Sequence, residues 1–208
     1  MNPDINIRKL PKQKRSRERY QKIMETAFDL LGEVGYDALT TDLIAERSEI
    51  SVGSIYQFFP NKESIIYTHA EICFMNLHDY FFGLIQNEVN QRKEFDDSFV
   101  TYTLNLFEKS LQEVKGYHLI GSIIYTNAEL ARLDRESNKR FAESLSKIVI
   151  LPFFPNVEKT RAYFISVMIV EIVDSVFKKL IQIPTQMEKK GIMFELESLL
   201  LIYFSSMK

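Results

Sequence analysis

The stretch from Thr40 to Lys62, TTDLIAERSEISVGSIYQFFPNK, restricts the chain more than any other feature. It holds three helix starts in close succession, at Thr40, Ser51 and Asn61. Each is an N-cap residue whose side-chain oxygen can accept from an otherwise unpaired backbone N–H. At each start an apolar residue precedes the cap and another follows four positions on: Leu39 with Ile44, Ile50 with Ile55, Pro60 with Ile65. Such a pair is a hydrophobic staple, which fixes the angle at which the chain enters a helix. Three in a row predict short helices packed at steep angles, as in a helix-turn-helix unit.

The rest of the chain reads as helical. Seven Gly and six Pro are few for 208 residues, which disfavours a sheet-and-turn architecture. Apolar residues make up 46% and charged residues 26%, close to the globular average. Cys73 is the only cysteine, so no disulfide can form within the chain and a reducing compartment is expected. The N-terminus is basic without the apolar core of a secretory signal. The longest apolar run, 163–177, is broken by Glu171 and Asp174, so no membrane span is expected and the cytoplasm is the expected location.

The net charge of −2 hides an asymmetry. Between Arg8 and Lys22 stand eight basic residues (Arg8, Lys9, Lys12, Lys14, Arg15, Arg17, Arg19, Lys22) and one acid, Glu18, a balance of 8 − 1 = +7. Such a segment beside a near-neutral body suits contact with a polyanion.

Apolar residues at helical spacing from Tyr20 to Val34 predict a first helix from about Arg17, ended by a left-handed Gly35. A long helix is expected from Lys62 to about Val89, another from a cap at Asp96 or Asp97 to about Lys115, then one over 117–126. Asn127 should cap a helix to about Ile150, where Pro152 and Pro155 stop it. Two helices, about 157–182 and 187–206, should close the chain. They are apolar nearly all round, as if buried on one side by their own domain and on the other by a partner. The expected fold is all-α, with a basic flexible tail over 1–14, a three-helix helix-turn-helix DNA-binding domain over 15–66, and a larger helical ligand-binding and dimerisation domain over 67–208.

In a helix-turn-helix the second helix enters the major groove, N-terminal residues nearest the bases. Here it spans about 52–58, with Ile55 and Phe59 inward and Val52, Gly53, Ser54 and Gln57 outward. Gly53 lowers helix propensity by roughly 1 kcal/mol against Ala, which suggests a close approach of the backbone to something outside. Gln57 suits adenine N6 and N7, and Val52 a thymine methyl. Tyr56, Thr40 and Lys62 suit phosphate oxygens, which position the helix without reading sequence. With Ser51 as the cap, the expected DNA-binding set is Thr40, Ser51, Val52, Gly53, Ser54, Tyr56, Gln57 and Lys62.

The run TTDLIAERSEISVGSIYQFFPNKESI resembles the DNA-binding signature of the TetR family of bacterial regulators over roughly 17–66. The resemblance rests on Gly35 and Tyr36, Thr40, Ile44 and Ala45, then Ser51, Gly53, Ile55, Tyr56, Phe59, Lys62 and Glu63. It implies a homodimer joined by the last two helices and bound to double-stranded operator DNA, released when a small molecule enters the larger domain. Three departures stand out. Phe58 occupies a place where many members carry His or Tyr, Val52 one that is often basic, and Glu46 and Glu49 put negative charge near the phosphate track. Phe58, Glu46 and Glu49 motivate an alternative, a ligand-binding interaction module of the same fold that binds a protein partner instead of DNA.

Sixteen Phe and ten Tyr exceed what a core of this size requires and suit a cavity for a flat or long apolar effector. On helical spacing the candidates for its wall are Tyr102, Leu106, Tyr125, Phe164 and Met168. His69 and Cys73 share a helix face but lack the companions of a metal site, so no metal and no cofactor is expected. No phosphate loop, nucleophile elbow or HExxH is present, and Asp134 and Glu136 read as a solvated helix face, so no enzyme is expected.

Overall fold

The computed structural model describes residues 5–207; the first four residues of the expected tail, and Lys208, lie outside them. The described residues form helices α1 (Lys14–Ala38), α2 (Thr41–Ser48), α3 (Val52–Tyr56), α4 (Lys62–Gln91), α5 (Asp97–Glu113), α6 (Tyr117–Ile123), α7 (Ala128–Leu145), α8 (Leu151–Phe153), α9 (Lys159–Gln182) and α10 (Gln186–Ser205). Among the described residues there is no strand, and no helix is long and apolar enough to cross a membrane. The all-α reading holds.

The chain divides into two compact units. The first runs to Cys73 and takes in Leu119–Leu133; the second comprises Phe74–His118 and everything from Asp134 onward. The inclusion of Leu119–Leu133 in the first unit has no counterpart in the sequence reading.

The core of the first unit is the staple set itself: Leu39, Ile44, Ile55 and Ile65 are fully buried together with Ile23, Leu30 and Phe59. The α1 stripe buries Ile23, Met24, Ala27, Phe28 and Leu31, but Val34 is exposed. Gly35 breaks α1 at φ 78 and ψ 171. That is not the left-handed helical cap expected from sequence but an extended positive-φ conformation that only glycine adopts freely. Behind this break, the Tyr36 hydroxyl accepts a long hydrogen bond (3.4 Å) from Asn127 Nδ2, while Asn127 Oδ1 caps α7 by accepting from Glu129 N at 2.8 Å. A methyl at Gly32 would come within 3.3 Å of Leu119 Cδ1, so the absent side chain lets 119–133 pack on α1.

The second unit is built from rings. Phe107 meets Phe81 and Phe177 edge to face at 5.4 and 5.1 Å, and Phe95 packs on Phe204 at 4.6 Å. These geometries are favoured by aromatic quadrupoles. The helix after Asn127 does not stop at Ile150. A π-turn over Ser146–Ile150, with Leu151 N bonded to Ser146 O, carries it on through α8 to Phe153. The widened turn shifts the carbonyls ahead of Pro152 out of α register, where its ring and missing N–H would otherwise disrupt the ladder. Asp134 is likewise not on a solvated face. It is buried with Lys178, whose Nζ donates to Asp134 Oδ2 at 2.5 Å and Asp174 Oδ2 at 2.6 Å. Helical periodicity assigned these charges to solvent because only tertiary pairing can bury them.

Candidate nucleic-acid interface and ligand cavity

Helices α2 and α3 are each capped at their start. Thr40 Oγ1 accepts from Leu43 N at 3.1 Å, and Ser51 Oγ accepts from Ser54 N at 3.3 Å. Between them Glu49 adopts the left-handed conformation at φ 55, its N–H bonded to Glu46 O, while Ile50 N reaches back to Ala45 O at 3.1 Å. This is the Schellman arrangement, with a glutamate where glycine is usual. Glu49 also lies 3.8 Å from Lys22 Nζ, so its charge has a basic neighbour on α1.

The turn presents α3 outward. Gly53, Tyr56 and Gln57 are exposed, and Val52 and Ser54 are half-buried. Gln57 lies just past the helix, which is shorter than the expected 52–58. A Cβ at Gly53 would meet no protein atom within 4 Å, so nothing inside the protein requires glycine there. The Tyr56 hydroxyl is held 3.2 Å from Thr41 Oγ1, at the start of α2. Ser54 Oγ lies 2.9 Å from Ser51 Oγ, so its hydroxyl must release the cap partner to reach a base.

Two residues take other places than expected. Lys62 Nζ donates to the carbonyls of Tyr36 at 2.9 Å and Asp37 at 3.4 Å, and sits 4.8 Å from the Tyr36 ring centre. Its first role is to satisfy the carbonyls after the Gly35 break, which leaves one of three ammonium protons for a phosphate. Phe58 is only 3% exposed and meets the Tyr20 ring edge to face at 5.8 Å, while Tyr20 stacks on Phe59 at 5.0 Å. Phe58 is therefore a core residue.

The basic segment joins this surface. Arg8 N donates to Phe58 O at 2.8 Å and Arg8 Nη1 to Tyr56 O at 3.0 Å, so the stretch expected to be a loose tail is tied to the carbonyl end of α3. Lys9, Lys12, Lys14, Arg15, Arg17, Arg19 and Lys22 are all exposed. Charge spacing located the arm, but nothing in the sequence indicated where Arg8 docks.

The second unit holds a cavity of about 90 Å³. Its wall is drawn from six helices, α4, α5, α6, α7, α9 and α10, and includes Phe74, Phe81, Phe82, Phe107 and Phe141, with Asp134, Asn138 and Asp174 among its polar groups. None of the five residues read as effector contacts lines it. Tyr125 and Phe164 are 76% and 64% exposed, Met168 is exposed, Leu106 is buried outside the wall, and Tyr102 is half-buried. On α5 the wall is formed by Phe99, Val100, Thr103, Leu104 and Phe107, and on α9 by Ile169, Val170 and Val173. The aromatic excess accords with a ring-lined cavity, but spacing alone cannot say which face of a helix apolar on several sides points inward. Of His69 and Cys73, read as half a metal site at most, the half-buried His69 stacks its ring on Phe28 at 3.9 Å and Cys73 is buried.

A capped helix, a Schellman turn and a second short helix with its outer face bare define a helix-turn-helix protein. Residues 23–66 match the family described as bacterial regulatory proteins, tetR family. Over this stretch, which is the helix-turn-helix unit, the chain resembles that family of transcriptional regulators. It is 44% identical over 57 residues to the HTH-type transcriptional regulator YdeS of Bacillus subtilis, covering 26% of this chain and 29% of that one. It is 27% identical over 127 residues to IcaR of Staphylococcus epidermidis, named as an HTH-type negative transcriptional regulator of a biofilm operon, covering 61% of this chain and 66% of that one. The chain thus spans less than two thirds of the length of either relative. The fold also matches a TetR-family regulator from Syntrophomonas wolfei at a TM-score of 0.64, with 20% identity over 88% of this chain and 93% of that one.

Proposed function

We infer that the protein is a cytoplasmic transcriptional repressor that binds a palindromic operator as a homodimer and leaves it when a small apolar or aromatic effector enters the second unit. One observation carries the DNA-binding part: α3 is capped and held outward, with no protein atom near a Cβ at Gly53 and a basic arm tied to its carbonyl end. A backbone kept clear in this way suits docking in the major groove, with Val52, Gly53, Ser54 and Gln57 facing bases and Thr40, Ser51, Tyr56, Lys62 and the arm facing phosphates. IcaR's name as a negative regulator favours repression.

Dimerisation is supported by the apolar side chains left exposed on the last two helices: Phe164 and Met168 on α9, Phe194, Leu199 and Ile202 on α10. Those helices already bury a different face, which includes Ile165, Ile169, Leu196 and Leu200, within their own unit. Control by ligand has a physical route as well. Helices α4 and α7 each run from the first unit into the second, and the first residue of each beyond the division, Phe74 and Asp134, lines the cavity. At about 90 Å³ that cavity is smaller than the few hundred Å³, about 300 or more, that a drug-sized ligand fills. An effector that binds must therefore part these helices, and it shifts the equilibrium by as much as it prefers the parted state.

The reading of the fold as a protein-binding module loses two supports, since Phe58 is core and Glu49 faces Lys22. The test is fluorescence anisotropy with DNA flanking the protein's own gene against scrambled DNA of equal length. A sequence-specific, salt-sensitive complex is expected; equal affinity for both DNAs contradicts the reading.

A further inference from the structure

The cavity is more specific than an apolar pocket. Its ring-lined wall meets two carboxylates, Asp134 and Asp174, and both are bonded through Oδ2 to the same lysine, Lys178. Lys178 does not itself line the cavity and is only 7% exposed. With both carboxylates ionised the group carries −1 − 1 + 1 = −1, and its negative members face the void. Asn138 Nδ2 donates to Asp174 Oδ2 at 3.1 Å and to Glu171 Oε1 at 3.4 Å, so a third acid borders the cluster. An uncompensated negative charge in a dry site is unfavourable unless something supplies a positive one. The surrounding Phe faces attract cations and offer an anion nothing.

We propose that the effector is a lipophilic organic cation, its apolar body among the Phe rings and its charged nitrogen against Asp134 and Asp174. The assignment rests on the ligand-responsive reading above and narrows it to one chemical class. An anionic amphiphile such as a fatty carboxylate meets two carboxylates before it meets the lysine behind them. A neutral hydrocarbon leaves the excess charge as it was. Burial, and then the Asp174 charge, hold the Asp134 carboxyl above the ordinary carboxylate range, in keeping with a site short of positive charge.

The experiment compares three probes with the same phenylbutyl body on the full-length protein, without DNA, by isothermal titration calorimetry: 4-phenylbutylamine (protonated at neutral pH), 4-phenylbutanol and 4-phenylbutyrate. The amine is expected to bind at least tenfold more tightly than the alcohol, with the carboxylate weakest. Asp174→Asn is expected to bring amine and alcohol within threefold. Since removing a buried charge can unfold a protein, Asn138→Lys provides a second variant. It adds a positive charge beside Asp174 and Glu171 and is expected to remove the preference in a protein whose circular dichroism is unchanged. Equal or tighter binding of the alcohol or carboxylate, absence of binding by all three, or a preference that survives in folded Asn138→Lys would each overturn the proposal. Adding the amine to the protein–DNA complex then separates the two readings. Tight, selective binding without release of DNA leaves the ligand class standing and removes the repressor mechanism.

Discussion

Replacing Gly53 by alanine separates stability from function. Gly53 is the second residue of α3, its φ is not positive, and an added Cβ meets nothing within 4 Å. The substitution should therefore gain the difference in helix propensity, about 0.5–1 kcal/mol, without a steric penalty. For a chain of 208 residues, each kcal/mol corresponds to roughly 2–4 °C in Tm, so a rise of about 1–4 °C is expected. The same methyl stands where the backbone is argued to approach DNA, once in each half-site of a dimer. A loss of affinity of about tenfold or more, ~1.4 kcal/mol, should follow. Thermal melting followed by circular dichroism reads the first quantity, at one protein concentration because a dimer's Tm depends on it. Anisotropy at fixed salt reads the second. A lower Tm would mean the space at Gly53 is not open, and a more stable variant with unchanged affinity would refute its proximity to DNA.

Other outcomes follow from the same surface and core. Glu49→Gly should stabilise the protein by about 0.5–1 kcal/mol, because relief of left-handed strain of roughly 1–2 kcal/mol exceeds the added chain entropy. Losing the exposed Lys22 contact should matter little, and a Tm that falls would show the turn is not strained. Tyr56→Phe should weaken binding to all sequences alike, whereas Gln57→Ala should relax preference at one base pair by about 1–3 kcal/mol. Parallel selections on both variants check this, and identical profiles would contradict the assigned roles. Burial pushes the Cys73 thiol up to about 12, from 9.0 when unperturbed. The unfolded chain therefore loses this proton first, so the group's contribution to stability is complete below about pH 9 and declines as pH rises toward 12. Iodoacetamide at pH 8 should label it only after denaturation; rapid labelling of the native protein would contradict its burial.

How much of this the sequence revealed depended on whether the cause was local. Caps and staples act within a few residues, so the starts at Thr40, Ser51 and Asn61, and helices α4, α9 and α10, could be read directly. What escaped depends on partners distant in the chain. Arg8 reaches the end of α3, Phe58 meets Tyr20, Lys62 turns back to Tyr36, and Lys178 neutralises an aspartate on another helix. The cavity wall failed for a related reason: on α5 and α9 apolar residues occur on several faces, and packing alone selects Phe107 and Ile169 over Tyr102 and Phe164. Pro152 marked a stop, but the π-turn before it moved the end of the helix to Phe153.

The most direct test of the account is selection of binding sites from random duplex DNA with the full-length protein, followed by measurement of the stoichiometry on the recovered site. The account predicts an inverted repeat whose half-site centres lie about one helical turn apart, 10–10.5 base pairs or a multiple, occupied by an even number of protomers and bound about tenfold or more weakly by Gly53→Ala. Recovery of no consensus, or of a single half-site bound by one protomer, would contradict it.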